Sequence, residues 1–88
     1  MRNGDQLVGD LGNLRAILTV QHSGTRVVLY KLPQKLILYE SHMPIENNFD
    51  HAKDRALAFF MCELKSENRQ EIKHRIQWSM VAASVSGN

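Results

Sequence analysis

The sequence predicts an α+β fold in which a small three-stranded antiparallel β-meander is followed by two helices (β-β-β-α-α) packed on one sheet face. Two observations predict it. Apolar residues alternate with a period of two from Leu14 to Glu40, as in strands, and recur every three to four residues from Phe49 onward, as in helices. Because 88 residues leave room for one hydrophobic core, we expect a single domain over residues 1–88.

The first thirteen residues are predicted to be a loose lead-in to this domain. Three glycines punctuate residues 1–13, and each has an aspartate or asparagine beside it, residue types that favour turns and loops. A short strand around Gln6–Val8 is the alternative for this segment.

Three strands are predicted after the lead-in. Every second residue over residues 14–20 is apolar, and β-branched and aromatic residues are frequent over residues 25–32. The third strand covers residues 36–40. His22-Ser23-Gly24 predicts the first turn, with Gly24 at a positive φ, and Pro33-Gln34 predicts the second.

The first predicted helix begins near residue 49, after a connection that contains Pro44 and an N-cap at Asn47 or Asn48. Its apolar face carries residues at three- and four-residue steps, namely Phe49, Ala52, Ala56, Phe60 and Leu64.

A second helix is predicted to extend to residue 83. Asn68 and Glu71 resemble a capping box at its start, and its apolar face carries Ile72, Ile76, Met80 and Ala83. One continuous bent helix is the alternative, because no glycine or proline occurs between residues 49 and 83. Residues 84–88 are expected to fray.

Both faces of the predicted sheet are apolar. One face is expected to carry Leu14, Ala16, Leu18, Val28, Tyr30, Ile37 and Tyr39, and the other Ile17, Val27, Leu29, Leu36 and Leu38. Two helices cover only one face, and an exposed apolar face usually marks an interface. The second set is therefore the predicted partner-binding or dimer surface. The alternatives are helices that straddle the sheet, or a register shifted by one residue, which would exchange the faces.

No catalytic, cofactor or metal site is predicted. The histidines His22, His42, His51 and His74 are scattered, and Cys62 has no neighbour at metal-ligand spacing. Cys62 falls in the apolar stretch of the first helix, so we expect it to be a small buried hydrophobe. The sequence therefore indicates no enzyme and no cofactor.

The strongest nucleic-acid signal lies at the predicted start of the last helix. Arg69, Lys73 and Arg75 precede Trp78, and cations beside an indole could bind phosphate and stack a base. Two glutamates interleave with these cations. Charge is also even along the chain, with five basic and four acidic residues in residues 1–48 and six and five after them. Nucleic-acid binding is therefore the disfavoured alternative.

The predicted function is that of a non-catalytic interaction, regulatory or inhibitor module that binds a partner protein of unknown identity and forms a homodimer. The alternative is a small nucleic-acid-binding regulator.

A cytoplasmic location is predicted. A single cysteine fits a reducing compartment, and charged residues interrupt the first twenty residues, unlike a signal peptide. The longest apolar run, Ala56–Cys62, is seven residues long, whereas a bilayer span needs about 20, so no membrane partner is expected.

Overall fold

The computed structural model describes residues 3–44 and 49–81, which form five strands and two helices. In chain order these are β1 (Gln6–Leu11), β2 (Leu14–Gln21), β3 (Gly24–Lys31), β4 (Leu36–Met43), α1 (Asp50–Leu64), α2 (Arg69–Arg75) and β5 (Gln77–Val81). All neighbouring strands are antiparallel, in the order β4-β3-β2-β1-β5. The α+β class with an antiparallel sheet and two helices is confirmed, but the predicted three strands are wrong: a four-stranded meander is joined by a fifth strand.

β1 lies within the segment that the sequence predicts to be loose. Burial alternates along it, because Leu7 and Leu11 point toward the core while the residues between them, apart from Gly9, are only half-buried. Gly9 lies in the buried row, and Gly12 has a φ of 60° in the two-residue turn to β2. The loose lead-in is therefore wrong where β1 forms, and the alternative of a short strand around Gln6–Val8 is confirmed, since β1 contains these residues and continues to Leu11.

The turn between β2 and β3 lies where the sequence predicts it. Gln21 pairs with Gly24 across a two-residue loop, and Gly24 has the expected positive φ, 149°. A Cβ atom at this position would collide with the backbone carbonyl oxygen of Met43 on β4, so only glycine fits without a shift.

α1 matches the first predicted helix and packs across β2, β3 and β4. Its inward face carries four fully or almost fully buried residues, Ala52, Ala56, Leu57 and Phe60. Leu64, which the periodicity places on the same face, is 41% exposed. The predicted caps Asn47 and Asn48 lie outside the described residues.

The helical segment divides at Lys65, so the alternative of one continuous helix is wrong. Lys65 adopts a left-handed conformation with a φ of 53°, and its N–H donates to the carbonyl of Cys62. Asn68 then caps α2 as predicted, because its Oδ1 accepts a hydrogen bond of 3.1 Å from the backbone N–H of Glu71.

α2 ends at Arg75, and Gln77–Val81 form β5 where the sequence predicts more helix. Ile76 is already extended, with φ −73° and ψ 127°. β5 pairs with β1 along its whole length. The helical spacing is misleading because Met80, expected on the apolar helix face, is 58% exposed on this edge strand. Residues 82–88, including the predicted frayed tail, lie outside the described residues.

Candidate functional site

The two faces of the sheet differ in what covers them. The face that packs against the helices, the covered face, contributes Leu7, Leu11, Leu14, Ala16, Leu18, Val27 and Leu29 to the core. The other face, the open face, has no helix packed on it among the described residues. The surfaces available for binding are therefore the open face, the sheet edges and the outer sides of the helices.

The register of β3 corrects two residues of the predicted partner-binding set. Val27 and Leu29 lie opposite β2 residues that point toward α1, and both are fully buried. The expected outward placement is wrong, because the two-residue turn sets β3 one residue away from the assumed register, which exchanges its faces. Ile17 does lie on the open face, opposite Val28.

One row of the open face is apolar on three adjacent strands. It crosses the sheet through Val8, Ile17 and Val28. Val28 is 2% exposed, whereas the other two are half-buried. A broad exposed apolar surface, as the sequence predicts, is therefore absent from the described part of the open face.

Two ion pairs lie beside this apolar row: Asp10 and Arg15 share the row on one side, and Arg26, in the row on the other side, reaches diagonally to Glu40, which lies opposite Val28. The Nε atom of Arg15 lies 2.7 Å from Asp10, and that of Arg26 lies 2.6 Å from Glu40. In each pair the side-chain hydrogen bond raises the pKa of the arginine above its ordinary value. These guanidinium groups already have carboxylate partners within the chain.

Exposed apolar side chains lie on both edge strands, with Met80 and Val81 on β5 and Leu36 and Ile37 at the start of β4. Leu36 is 57% exposed and lies opposite Lys31, in the row of Leu14, whereas Ile37 is 48% exposed and lies opposite Tyr30 on the open face. Tyr30 also lines a shallow hollow of about 140 Å³, together with Arg15, Ile17, Leu32 and Lys35. We refer to Tyr30, Leu32, Leu36 and Ile37 as the edge patch.

Leu38, the last residue of the predicted partner-binding set, turns inward. The pairing of β3 with β4 is irregular beside it, and Leu38 is half-buried against the core. The next residue, Tyr39, stacks on Phe59 of α1 with ring centroids 5.2 Å apart. The expected place of Leu38 on an exposed face is therefore wrong. Only Ile17 and Leu36 of that set remain outside the core, and they do not share a face as predicted, because Leu36 lies in the row of Leu14.

A second candidate surface lies where the helices meet the start of β5. It is a cleft of about 220 Å³, which we call the Trp78 cleft, lined by Lys53, Asp54, Leu57, Lys73, His74, Ile76 and Trp78. The indole lies directly on the backbone of β1, since a Cβ atom at Gly9 would come within 2.6 Å of its six-membered ring. The glycine therefore positions the aromatic wall of the cleft.

The structure separates the residues predicted to contact nucleic acid. Lys73 and Trp78 line the same cleft, as the hypothesis requires. Arg69 instead forms an ion pair of 3.0 Å with Asp54, and the exposed Arg75 is not part of the cleft lining. Only half of the predicted set is therefore brought together.

Sequence reasoning missed Lys53 as a residue of this cleft. Its Nζ lies 5.6 Å from the centroid of the Trp78 ring, within range of a cation–π contact. The residues are 25 positions apart in the chain, and the prediction placed Trp78 on a helix. No local pattern in the sequence signals that α1 lies beside β5.

Two chemically reactive side chains, Cys62 and His42, lie elsewhere on the protein surface. Cys62 is exposed, so the expectation that it is buried is wrong: α1 presents it to solvent. Nε2 of His42 lies 3.2 Å from the hydroxyl and 3.3 Å from the carbonyl oxygen of Ser23. A ring nitrogen that donates to this carbonyl cannot also take the hydroxyl proton, so the pair is suited to bracing the turn.

The described residues contain no group of three His, Cys, Asp or Glu side chains that could hold a metal ion. Nor do they include a helix that is long and apolar enough to cross a membrane. Comparison of the chain with models of protein families, with curated proteins and with solved structures finds no match in any of the three. Residue geometry is therefore the basis for a functional proposal.

Proposed function

We propose that this protein is a non-catalytic protein–protein interaction module that acts as a homodimer through the edge patch. The observation that carries the proposal is the position of Leu36 and Ile37, two strongly exposed aliphatic side chains, on a strand whose outer edge is unpaired among the described residues. Exposed apolar side chains beside a free strand edge favour association with another chain.

A second copy fits this surface because the projecting groups and the hollow lie side by side. In a twofold arrangement, the Ile37 side chain of each protomer can fill the other's hollow, whose 140 Å³ is of the order of one large aliphatic side chain. Full burial of each such side chain is worth about 1.5–3 kcal/mol.

The backbone of β4 offers a further contribution to the dimer. Over Leu36–Met43 the strand contains no lysine or proline, the residues that commonly protect a sheet edge from pairing. The irregularity beside Leu38 limits the regular edge to Tyr39–Met43. Backbone pairing is therefore expected over a short stretch, with the edge patch supplying most of the free energy of association.

The alternative of a nucleic-acid-binding regulator has less support. A nucleic-acid backbone requires several unpaired cations along one surface. Arg69 is paired with Asp54, and Glu71 lies among the cations of α2. Association of two protein chains through the edge patch requires no unpaired cations.

Sedimentation equilibrium at micromolar concentration tests the proposal. The unsubstituted chain should sediment as a dimer, and Ile37→Glu or Leu36→Glu should shift it toward a monomer without lowering its melting temperature. Met80→Glu is the matched control, because Met80 is as exposed as Leu36 but lies on the opposite edge strand. It should leave the dimer intact.

Two results would contradict the proposal. One is a mass near 10.1 kDa for the unsubstituted chain at high micromolar concentration. The other is a dimer that Met80→Glu weakens as much as Ile37→Glu, which would place the interface away from the edge patch.

A further inference from the structure

We propose that the Trp78 cleft binds a small organic anion, specifically a phosphate group carried on a single planar ring. The cleft lies beside β5, at the opposite edge of the sheet from β4, which carries most of the edge patch. The proposal does not depend on dimer formation. Four features of the cleft carry it: its rigid aromatic wall, its apolar floor, its uncompensated positive charge and its size.

The aromatic wall is fixed before any ligand arrives. Trp78 lies flat on the backbone of β1 at Gly9, and β5 is held to β1 by antiparallel pairing on both sides of this contact. Leu57 and Ile76 are 3% and 7% exposed and form the apolar floor. A preformed apolar cleft with a few polar groups is typical of a ligand site, because little conformational entropy is lost on binding.

The polar groups of the cleft have an excess of positive charge. Lys53 from α1 and Lys73 from α2 both line it, with His74 beside them. The single acidic residue of the lining, Asp54, is already neutralised by Arg69 at 3.0 Å. Lys73 forms no ion pair within the described part of the chain, so two lysines line a cleft that lacks a free carboxylate.

A bound anion relieves the repulsion between these cations. Cations that line the same concave surface repel one another and concentrate negatively charged ligands there. Lysine ammonium groups and an imidazole N–H are donors that suit phosphate oxygens. Lys53 lies above the indole, so an anionic group bound to it places the body of the ligand beside the ring of Trp78.

The size of the cleft sets an upper limit on the ligand. Its volume of about 220 Å³ is below the ~300–1,000 Å³ of most small-molecule sites, so a dinucleotide or a large cofactor would project into solvent. One ring with one phosphate matches both the volume and the balance of apolar floor and charged rim.

Phenyl phosphate is the probe that tests this site, because it carries only these two features. Trp78 is the single tryptophan of the chain, so its indole N–H gives one NMR signal for the cleft. We expect phenyl phosphate to shift this signal saturably and to give a matching isotherm by calorimetry. Inorganic phosphate and phenol, each lacking one feature, should bind at least about tenfold more weakly, a difference of about 1.4 kcal/mol.

A matched pair of variants separates a built site from general attraction of anions. Lys73→Gln should weaken phenyl phosphate binding by about tenfold or more, since it removes one ammonium group while keeping a good helix former. Lys31→Gln removes an exposed lysine from β3, which does not line the cleft, and should leave binding unchanged. Circular dichroism melts would verify that both variants fold.

Three results would overturn the proposal. They are an unmoved indole signal together with no heat of binding at ~10 mM phenyl phosphate, an equal loss of affinity in the Lys31→Gln variant, and equal affinity for inorganic phosphate. Binding of an oligothymidylate more tightly than phenyl phosphate, with a steep salt dependence, would also overturn it and would identify the cleft as part of a nucleic-acid surface.

Discussion

The covered and the open face of this sheet are formed by alternate residues of the same strands, yet they differ in kind. The covered face is continuously apolar from β1 to β3 and packs against α1. The open face has one apolar row that ends at Glu40, with the Asp10–Arg15 ion pair on one side and Arg26, the ion-pair partner of Glu40, on the other. Apolar content therefore does not identify a binding face. In β3 the three consecutive apolar residues Val27–Leu29 are all buried, although they point alternately to the two faces.

A charge placed on each face should give the largest contrast. Leu29→Glu introduces a carboxylate at a fully buried position, and we expect it to abolish cooperative unfolding, because a domain of this size has only about 5–15 kcal/mol of stability. Ile17→Glu is the matched variant on the open face and should leave the chain folded. Thermal melts followed by circular dichroism would compare them, and equal loss of structure in both would show that the faces do not differ.

Removal of a core side chain from α1 should have the next largest effect. Phe60 is fully buried, so we expect Phe60→Ala to cost about 3–5 kcal/mol in the free energy of unfolding. The neighbouring Phe59→Ala removes a ring of the same size that is half-buried on Tyr39, and should cost less. Urea denaturation measures both. An unchanged midpoint for Phe60→Ala would contradict the direction in which α1 faces the sheet.

Gly9→Ala tests the close contact between β1 and Trp78. The added Cβ atom would come within 2.6 Å of the indole, so we expect a loss of about 1–3 kcal/mol from overpacking. In a Trp78→Ala background the same substitution should cost almost nothing, which is the control for the contact itself. Additive losses in the two variants would mean that Gly9 is needed for another reason.

Arg26→Gln should have the smallest effect, because it breaks an exposed ion pair on the open face. Pairs of this kind contribute about 0–1 kcal/mol, since both partners remain hydrated. The same denaturation experiment measures the difference, at low and at high salt. A loss as large as that of Gly9→Ala would show that the open face contributes to stability in the way that the covered face does.

Local chemistry explains the features that were predicted correctly. Periodicity alone located α1 and its buried residue Phe60, because a helix that covers a sheet needs an apolar stripe. Gly24 and Asn68 were recognised from side-chain and backbone preferences that act within a few residues. These preferences hold in most surroundings, so they can be inferred without knowing the rest of the fold.

The candidate sites were less predictable. Leu36 could be recognised as exposed, but Val27 and Leu29 were assigned to the wrong face because a change of one residue in the register exchanges the faces. Lys73 and Trp78 were grouped correctly. Their neighbour Lys53 was not, since nothing in a local pattern shows that α1 lies beside β5.

The sequence by itself determined the α+β class, the turns and the two helix-forming segments, since these follow from interactions between near neighbours in the chain. Only the tertiary structure decided that residues 6–11 and 77–81 become strands. β1 pairs with its chain neighbour β2 on one side and with β5 on the other, whereas β5 pairs with β1 alone among the described strands, about 70 positions away. The apolar spacing of residues 72, 76 and 80 suits a helix, but a free edge of β1 is satisfied by extending residues 77–81, and this pairing prevails over local preference.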